Sequence, residues 1–308
     1  MNALPLLYPA RLTAGATLGL VAPASPPAEP EKIPQVIERL LAEGFRVKTG
    51  QHLGKRDGYL AGTDRERAAD FQALFADPEV SALFALRGGY GSCRILPLLD
   101  YTAIRAHPKP FIGYSDNTAL HHALLKKAGL VTFHGPNAME AFLPENRENL
   151  RRMLIEPERL RPMCLFSRDE EKKHDLKTLV PGSARGRLIG GNMTCLLRLL
   201  GTPYSPDFAG ALLFLEDIGE KAYRIDGMFT HLRLAGALDQ ISGLILGRFD
   251  HLEEPEQRRI ESCLEREAKQ IGVPCLSGAP IGHFSGQILI PHGVEAELDA
   301  DAAALSVL

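Results

Sequence analysis

The first 135 residues alternate short apolar runs with segments of helical periodicity. The apolar runs have the length of buried strands and cover residues 17–22, 82–86, 111–114 and 130–133, with a shorter candidate at 45–47. Apolar residues recur at the spacing of one helix face over residues 33–41 and stop before Gly44. Thr63 and Glu66 are spaced as a capping box at the start of a second helix. Strands that alternate with helices predict a mostly parallel α/β sheet, whose functional groups collect at the carboxyl ends of the strands.

The second half of the chain resumes this alternation after a polar interruption. With 308 residues the chain is long for one core, so two domains are expected. The run from Ser167 to His174 is polar and lacks apolar periodicity. We therefore predict a domain at residues 1–160, a linker at 161–182 and a second domain at 183–308. In the second domain, strand patterns cover residues 186–189, 212–215, 244–246, 288–290 and 294–298, and helical patterns cover residues 223–234 and 260–268.

The composition argues against several classes of function. The net charge is −3 and no run of lysine and arginine is long enough to be useful, so no nucleic-acid partner is expected. The amino terminus has no basic segment before its apolar residues, and no apolar stretch approaches the roughly 20 residues of a membrane span. The five cysteines are odd in number and share no close spacing, which is typical of reduced thiols rather than of disulfides or a zinc site. We expect a cytoplasmic protein with no membrane partner.

A candidate nucleophile lies in the tetrapeptide Gly113-Tyr114-Ser115-Asp116, between a strand pattern and a helical one. A serine that turns sharply from a strand into a helix exposes its hydroxyl above the sheet. The backbone N–H that follows it can help to hold an oxyanion. A Ser-Asp pair in this position is more often only a helix cap, so the tetrapeptide alone leaves both roles open.

A serine nucleophile needs a general base, and ten histidines are available. His283 is the most distinctive, because it follows a glycine-containing loop at residues 278–282 that lets backbone and substrate approach closely. His134 ends a strand and could line a site. His121 and His122 lie on the helix after Ser115 and are expected to point away from the strand ends. The others lie in polar, surface or turn contexts, where a solvated or capping role is expected: His52, His107, His174, His231, His251 and His292.

The group that orients such a base is an acid, and Glu216 and Asp217 both follow the predicted strand at residues 212–215. Successive strand side chains face opposite sides, so only one of the two can point at the site. No metal site is predicted, because the chain has no H-E-x-x-H motif. The run Arg87-Gly88-Gly89-Tyr90-Gly91 lacks the spacing of a phosphate loop. Its position after a strand suits oxyanion donors better.

Several motifs occur in the order found in the L,D-carboxypeptidase family of serine peptidases: Pro23-Ala24-Ser25-Pro26, Arg87-Gly88-Gly89-Tyr90-Gly91, Gly113-Tyr114-Ser115-Asp116, His134-Gly135-Pro136, Gly190-Gly191-Asn192, Leu215-Glu216-Asp217 and Gly282-His283. They cover nearly the whole chain, which therefore resembles that family. The resemblance implies a cytoplasmic enzyme that removes the terminal D-alanine from murein tetrapeptides in cell-wall recycling. It also implies an α/β amino-terminal domain, a smaller β-rich carboxyl-terminal domain, a homodimer, and no metal or cofactor.

The resemblance assigns the catalytic triad to Ser115, Glu216 and His283. It assigns the oxyanion hole to the N–H groups of Asp116 and Gly89. A substrate with a free carboxylate needs a cationic anchor, for which Arg87 and Arg224 are the candidates. Further expected substrate contacts are Tyr90, His134 and Asn192.

Two other functions remain open from the sequence. One branch of the same family hydrolyses microcin-type peptidyl-nucleotides and stacks the base on tryptophan, whereas this chain has no Trp. The chain could also be a two-domain sugar- or nucleotide-binding protein without chemistry. Gly227 stands where the family suggests an arginine, which leaves the substrate preference open.

Overall fold

The computed structural model describes residues 4–155, 163–167, 175–250 and 253–308. The chain divides into two compact units, Met1–Pro157 with Ile288–His292 and Glu158–Gln287 with Gly293–Leu308. Each unit has its own sheet with helices, so the predicted two-domain α/β class is confirmed. None of the helices in the described ranges is both long enough and apolar enough to cross a membrane. All five cysteines are free thiols.

The first unit contains a six-stranded sheet with the order β12-β5-β4-β3-β1-β2. Its strands are β1 (Thr17–Val21), β2 (Arg46–Thr49), β3 (Ala82–Ala85), β4 (Phe111–Gly113), β5 (Thr132–His134) and β12 (Ile290–His292). The first five are parallel, and β12 is antiparallel to β5. Strands β1, β3 and β4 are buried along their whole length, as apolar strands covered on both faces must be.

The helices of the first unit are α1 (Ile33–Ala42), α2 (Asp64–Ala76), α3 (Ser92–Ile95), α4 (Tyr101–Ala106), α5 (Thr118–Ala128) and α6 (Arg147–Leu154). The capping box predicted for α2 is confirmed. Thr63 Oγ1 accepts the N–H of Glu66 at 3.3 Å, and Glu66 Oε2 accepts the N–H of Thr63 at 2.9 Å. These reciprocal bonds satisfy two donors that the first turn would otherwise leave open.

The order of the strands creates a topological switch between β1 and β3. From β1 the chain first adds β2 on one side, and then returns to add β3 on the other. Loops that leave the carboxyl ends of two such strands diverge and form a crevice, where open α/β sheets bind their ligands. The two loops here are residues 22–27 after β1 and residues 86–91 after β3.

The second unit contains an eight-stranded sheet with the order β6-β14-β13-β8-β9-β10-β11-β7. Its strands are β6 (Met163–Phe166), β7 (Lys177–Val180), β8 (Ser183–Asn192), β9 (Leu212–Ile218), β10 (Gly243–Asp250), β11 (Cys275–Ser277), β13 (Glu295–Asp299) and β14 (Ala304–Val307). Strands β8 to β11 are parallel, and the remaining pairs are antiparallel. The helices are α7 (Met193–Leu197), α8 (Ala222–Leu234) and α9 (Glu254–Ile271).

Three features differ from the sequence-based expectations. Residues 161–182, expected to be a linker, contain β6 and β7, which pair with β14 and β11. The polar run that suggested the linker lies outside the described residues except for Ser167. Glu216 and Asp217 lie inside β9 rather than after it, because β9 continues to pair with β8 and β10 beyond its apolar run. His292 was expected at the surface but is fully buried, since β12 joins the first sheet.

Candidate active site

Ser115 occupies a strained turn at the carboxyl end of β4. Its φ is +64°, and only two other non-glycine residues in the described ranges have a positive φ. This left-handed conformation costs an L-residue about 1–2 kcal/mol. Ser115 is partly exposed, whereas its neighbours Tyr114 and Asp116 are buried. The N-cap position of α5 is Asn117, two residues after Ser115, so the alternative role of Ser115 as the cap of that helix does not hold.

Hydrogen bonds from two asparagines keep this turn in place. Asn117 Nδ2 donates to the carbonyl oxygen of Tyr114 and to Asn137 Oδ1, both at 3.1 Å. Asn137 Oδ1 also accepts the N–H of Tyr114 at 3.3 Å. On the preceding residue, the Gly113 carbonyl oxygen lies 2.7 Å from His121 Nε2. Strain of this kind persists only where the surroundings fix the backbone, and it concentrates at functional sites.

The loop after β3 approaches the serine closely enough to require glycine. A Cβ at Gly88 would lie 2.7 Å from Ser115 Cβ and 2.9 Å from Ser115 Oγ. The loop is fixed by Ser25, whose N–H donates to the Gly88 carbonyl oxygen at 3.3 Å and whose Oγ accepts the N–H of Tyr90 at 3.1 Å. Gly89, the expected oxyanion donor, lies between these two bonds. Backbone N–H groups next to a nucleophile are the usual means of stabilising an oxyanion.

Asp116 connects the turn at Ser115 to Ser92, the residue that follows the loop after β3. Its carboxylate Oδ2 accepts the N–H of Ser92 at 2.8 Å and the Ser92 hydroxyl at 2.6 Å. Asp116 and Ser92 are both buried. The Asp116 carboxylate is therefore structural, while the Asp116 N–H group is the one that the family resemblance assigns to the oxyanion hole.

In the second unit the structure brings Glu216 and His283 together. His283 Nδ1 lies 2.8 Å from Glu216 Oε2. A carboxylate can only accept, so Nδ1 carries the proton and Nε2 is the basic nitrogen of the neutral ring. Glu216 is 0% exposed, and the His283 side chain is 14% exposed. Glu216 Oε1 is buried and has no hydrogen-bond partner among the described residues, so the charge of the carboxylate is directed at the imidazole.

Asp217 points to the opposite face of β9 and holds the start of α7. Its Oδ2 accepts the N–H and the hydroxyl of Thr194, both at 2.8 Å, and its Oδ1 accepts Asn192 Nδ2 at 3.1 Å. Burial, and then the negative charge of Glu216, raise the pKa of the Asp217 carboxyl, while hydrogen bonds from Ile218 and Thr194 oppose that shift. Of the two candidate acids, Glu216 is the one that contacts His283.

The loop that carries His283 is braced against β10. The N–H of Ala279 donates to the Leu246 carbonyl oxygen at 3.1 Å, and the N–H of Arg248 donates to the Ile281 carbonyl oxygen at 2.8 Å. The Arg248 guanidinium lies 3.9 Å from the ring centroid of Phe284, the residue after His283. The loop thus crosses β10 and delivers the histidine to β9, which lies next to β10 in the sheet.

The expected substrate contacts differ in their surroundings. Arg87 Nη1 donates to the Pro26 carbonyl oxygen at 3.1 Å. Tyr90 is 42% exposed. The ring of His134 is fully buried and therefore not open to a substrate in this conformation. Asn192 Oδ1 accepts the N–H of Cys195 as the cap of α7. Arg224 is exposed and pairs with Glu220 at 3.5 Å.

Ser25 and Tyr59 also lie at this site in the first unit, although neither was predicted as a site residue. Ser25 belongs to a motif that carried the family resemblance, and its contacts explain why that motif stands beside the Gly88 loop. Tyr59 is 64% exposed, and its ring packs edge-on against Tyr90 with the centroids 5.5 Å apart. The spacing of apolar residues in the sequence does not predict this pair, because the two rings come from separate loops.

One group of possible metal ligands occurs in the described ranges, formed by Asp226, Cys263 and Glu267. Both carboxylates already face guanidinium groups, Asp226 that of Arg266 and Glu267 that of Arg233. Burial raises the pKa of the Cys263 thiol, which disfavours the thiolate that binds a metal. This cluster is therefore a set of ion pairs around a thiol.

Comparison with known proteins gives the family. Residues 18–135 match the LD-carboxypeptidase N-terminal domain, and residues 185–298 match the LD-carboxypeptidase C-terminal domain. A probable murein peptide carboxypeptidase of Bacillus subtilis is 39% identical over 299 residues, which are 94% of this chain and 91% of that protein. A murein tetrapeptide carboxypeptidase of Pseudomonas aeruginosa is 32% identical, with 92% of this chain and 93% of that protein covered.

A solved structure of the microcin C7 self-immunity protein MccF is similar over both units. It superposes with a TM-score of 0.86 at 30% identity and covers 98% of each chain. The resemblance stated from the motifs is therefore confirmed, and it favours a hydrolase over a binding protein without chemistry. The chain belongs to the LD-carboxypeptidase family and is a serine-type hydrolase.

Proposed function

We propose that this protein is an L,D-carboxypeptidase that releases the terminal D-alanine from murein tetrapeptides. The conformation of Ser115 carries the proposal. A partly exposed serine held at φ +64° against Gly88 is shaped for attack on a carbonyl carbon whose oxygen faces backbone N–H groups. Relatives named as murein peptide and murein tetrapeptide carboxypeptidases support the choice of substrate.

In the proposed mechanism Ser115 Oγ attacks the carbonyl carbon of the residue before D-alanine. His283 Nε2 takes the hydroxyl proton and returns it to the departing amine, and D-alanine leaves. Water then attacks the acyl-enzyme with the same histidine as base. Glu216 stabilises the imidazolium that forms in each step, since its Oε2 lies 2.8 Å from Nδ1. The N–H groups of Asp116 and Gly89 stabilise the oxyanion.

Arg87 is the better of the two candidates for binding the substrate carboxylate. It belongs to the loop that contains the expected oxyanion donor Gly89, and among the described residues its guanidinium donates a hydrogen bond only to the Pro26 carbonyl oxygen. Arg224 is engaged by Glu220 and by the Tyr223 hydroxyl on an exposed helix face. Arg87→Ala is expected to raise KM far more than Arg224→Ala does.

The test of this function uses a murein tetrapeptide that ends in D-alanine. Mass spectrometry should detect the tripeptide, and D-amino acid oxidase should detect one free D-alanine for each tripeptide. The same peptide ending in L-alanine is the stereochemical control, and Ser115→Ala is the catalytic control. If wild-type protein leaves the D-alanine peptide intact, or if Ser115→Ala cleaves it equally well, the proposal is wrong.

A second candidate is the hydrolysis of microcin-type peptidyl-nucleotides, which the likeness to MccF favours. The absence of tryptophan from this chain counts against a stacked nucleobase. An aminoacyl sulfamoyl adenosine, supplied in competition with the tetrapeptide, separates the two. Cleavage of the nucleotide conjugate at the higher kcat/KM would reverse the order of the candidates.

We further propose that the enzyme acts in the cytoplasm, in cell-wall recycling, as a homodimer. Free thiols at all five cysteines are compatible with a reducing compartment. Sedimentation equilibrium gives the oligomeric state, and fractionation of the source cells gives the compartment.

A further inference from the structure

Arg67 is a buried cation of the first unit that takes no part in the chemistry proposed above. It lies on α2, and its side chain is 0% exposed. Its Nη1 donates to the carbonyl oxygen of Gly91 at 2.9 Å and also to that of Pro23. Pro23 belongs to the loop after β1 and Gly91 to the loop after β3. A single guanidinium therefore joins the two loops that flank the topological switch.

Burying this charge is unfavourable, so its retention needs a reason beyond packing. Burial lowers the pKa of Arg67, and the charges of Asp64 and Asp116 oppose that shift. An apolar side chain of similar volume often serves stability as well as a buried ion pair does. Arginine has a planar fork that reaches two carbonyl oxygens and a carboxylate at once, whereas a lysine ammonium is a single point.

The backbone of Gly91 lies directly against the guanidinium. Its φ is +120°, and a Cβ there would lie 2.5 Å from Leu60 Cδ2 and 3.1 Å from Arg67 Nη1. The next residue, Ser92, donates its N–H and hydroxyl to the Asp116 carboxylate. Two successive residues are thus held in place. Arg67 binds the carbonyl oxygen of Gly91, and Asp116, the residue after Ser115, binds Ser92.

The same turn of α2 holds the chain on the far side of the loop. Asp64 pairs with Arg67 and also accepts Nε and Nη2 of Arg94, both at 2.8 Å. The hydrogen bond from Arg94 is the main cause that lowers the pKa of the Asp64 carboxyl. Arg94 lies on α3, three residues after Gly91. Helix α2 therefore holds the last residue of the loop of residues 87–91 through Arg67, and holds α3, which follows the loop, through Asp64.

We propose that Arg67 is a positioning residue of the hydrolytic reaction. It holds the loop of residues 87–91 so that the loop's N–H groups face the oxyanion that forms beside Ser115. The inference rests on the proposed function for the identity of the reaction. Removing one oxyanion donor typically lowers kcat by about 10²–10³. Loss of Arg67 is therefore expected to lower kcat by about 10²-fold and to leave KM within a few-fold.

The experiment compares Arg67→Lys, Arg67→Gln and Arg67→Ala with Arg65→Ala, a change at an exposed arginine of the same helix. For each variant, kcat and KM are measured on the tetrapeptide, the folded fraction by urea unfolding, and the rate of Ser115 labelling by a fluorophosphonate. The three Arg67 variants should lose kcat and labelling rate in parallel, with Lys losing least. Methylguanidinium, added to Arg67→Ala at a concentration that leaves wild type unaffected, should restore part of both. Arg65→Ala should match wild type.

Three outcomes would overturn the inference. One is a well-folded Arg67→Gln with kcat within threefold of wild type. Another is a loss confined to KM, or a loss that equals the unfolded fraction. The third is that none of the three variants folds, which would make Arg67 purely structural. If wild type is labelled by the fluorophosphonate but releases no D-alanine, the proposed function fails while labelling still tests Arg67. If wild type is neither labelled nor active, both fail.

Discussion

At the scale of single residues, the proposed nucleophile Ser115 has a backbone conformation that an L-residue avoids. We predict that Ser115→Gly and Ser115→Ala both lose turnover by orders of magnitude, because each removes the hydroxyl. The two should differ in stability. Glycine adopts φ +64° without strain, whereas alanine adopts it only at a cost in free energy. The free energy of unfolding of Ser115→Gly should therefore exceed that of Ser115→Ala by about 1 kcal/mol, and its urea midpoint should be higher. An Ala variant that is as stable as the Gly variant would show that the turn is not strained.

The adjacent acids of β9 provide a matched pair of residues. Glu216→Gln keeps a hydrogen-bonding group near His283 but removes the charge that stabilises the imidazolium, so kcat should fall by several orders of magnitude. The pH dependence of kcat/KM in the variant would show whether His283 still acts as the base. Equal kcat in Glu216→Gln and wild type, with both proteins folded, would contradict the assignment of this acid.

Asp217→Asn should act on stability instead. The new amide has one acceptor oxygen, so its N–H groups would face either the donors of Thr194 or those of Asn192 and Ile218, all of which the carboxylate now accepts. Leaving such buried donors unsatisfied costs about 1–3 kcal/mol. We therefore expect a lower urea midpoint with kcat within a few-fold of wild type. A greater loss of kcat at 217 than at 216, at equal folded fractions, would exchange the roles of the two acids.

At the scale of elements, local signals predicted much of the fold and part of the site. The capping box at Thr63 and the helix pattern at residues 223–234 correspond to α2 and α8 because their determinants lie within a few residues of one another. The face of β9 that meets His283 could not be predicted in this way. Both faces of β9 are buried, so its apolar run has no alternation that would distinguish Glu216 from Asp217.

Helix α8 contains a glycine that its surroundings do not require. Among the described residues, no heavy atom beyond the neighbouring residues and backbone of α8 lies within 4 Å of a Cβ built at Gly227, and the Gly227 backbone is helical. Gly227→Ala should therefore raise the free energy of unfolding by about 0.5–1 kcal/mol, because alanine loses less backbone entropy in a helix. Urea unfolding monitored by circular dichroism measures the gain. A destabilised variant would mean that the space beside α8 is filled in solution.

At the scale of the whole molecule, the first unit buries four histidine rings, those of His121, His122, His134 and His292, and we expect them to make it sensitive to acid. His292 on β12 packs against His122 with ring centroids 4.6 Å apart and against His121 at 5.8 Å, and His121 contacts His134 at 5.9 Å. Burial, and then the neighbouring histidines, lower the pKa of His292 well below 6.5. Burial lowers the pKa of His121 to about 4.

A lowered histidine pKa means that the folded protein binds fewer protons than the unfolded chain. The contribution to stability is then complete above pH 6.5 and is lost as the pH falls toward the folded pKa, by about 1.4 kcal/mol per pH unit for each group. We predict a lower urea midpoint near pH 5 than near pH 7, and a smaller difference in His292→Phe. An equal difference in both proteins would place the acid sensitivity elsewhere.

The position of β12 is what the sequence could least predict. Pairing between strands that are far apart in the chain leaves no periodicity, so His292 was expected at the surface and residues 288–290 in the second domain. The structure instead pairs Ile290 with His134. The conformation of Ser115 could not be predicted from the sequence either. It depends on hydrogen bonds of Tyr114 with Asn117 and with Asn137, and Asn137 lies on a different loop.

This pairing has a consequence for the synthesis of the protein. A ribosome adds roughly 5–20 residues per second, so Ile290, the partner of His134, is added roughly 8 to 30 seconds after His134 itself. During that interval the nascent chain exposes an unpaired strand edge at β5, which other chains can pair with. A nascent chain cut short before Ile288 carries an unfinished nucleophile-bearing sheet. The order in which the ribosome delivers its strands therefore delays completion of the serine-bearing unit until most of the other unit has been made.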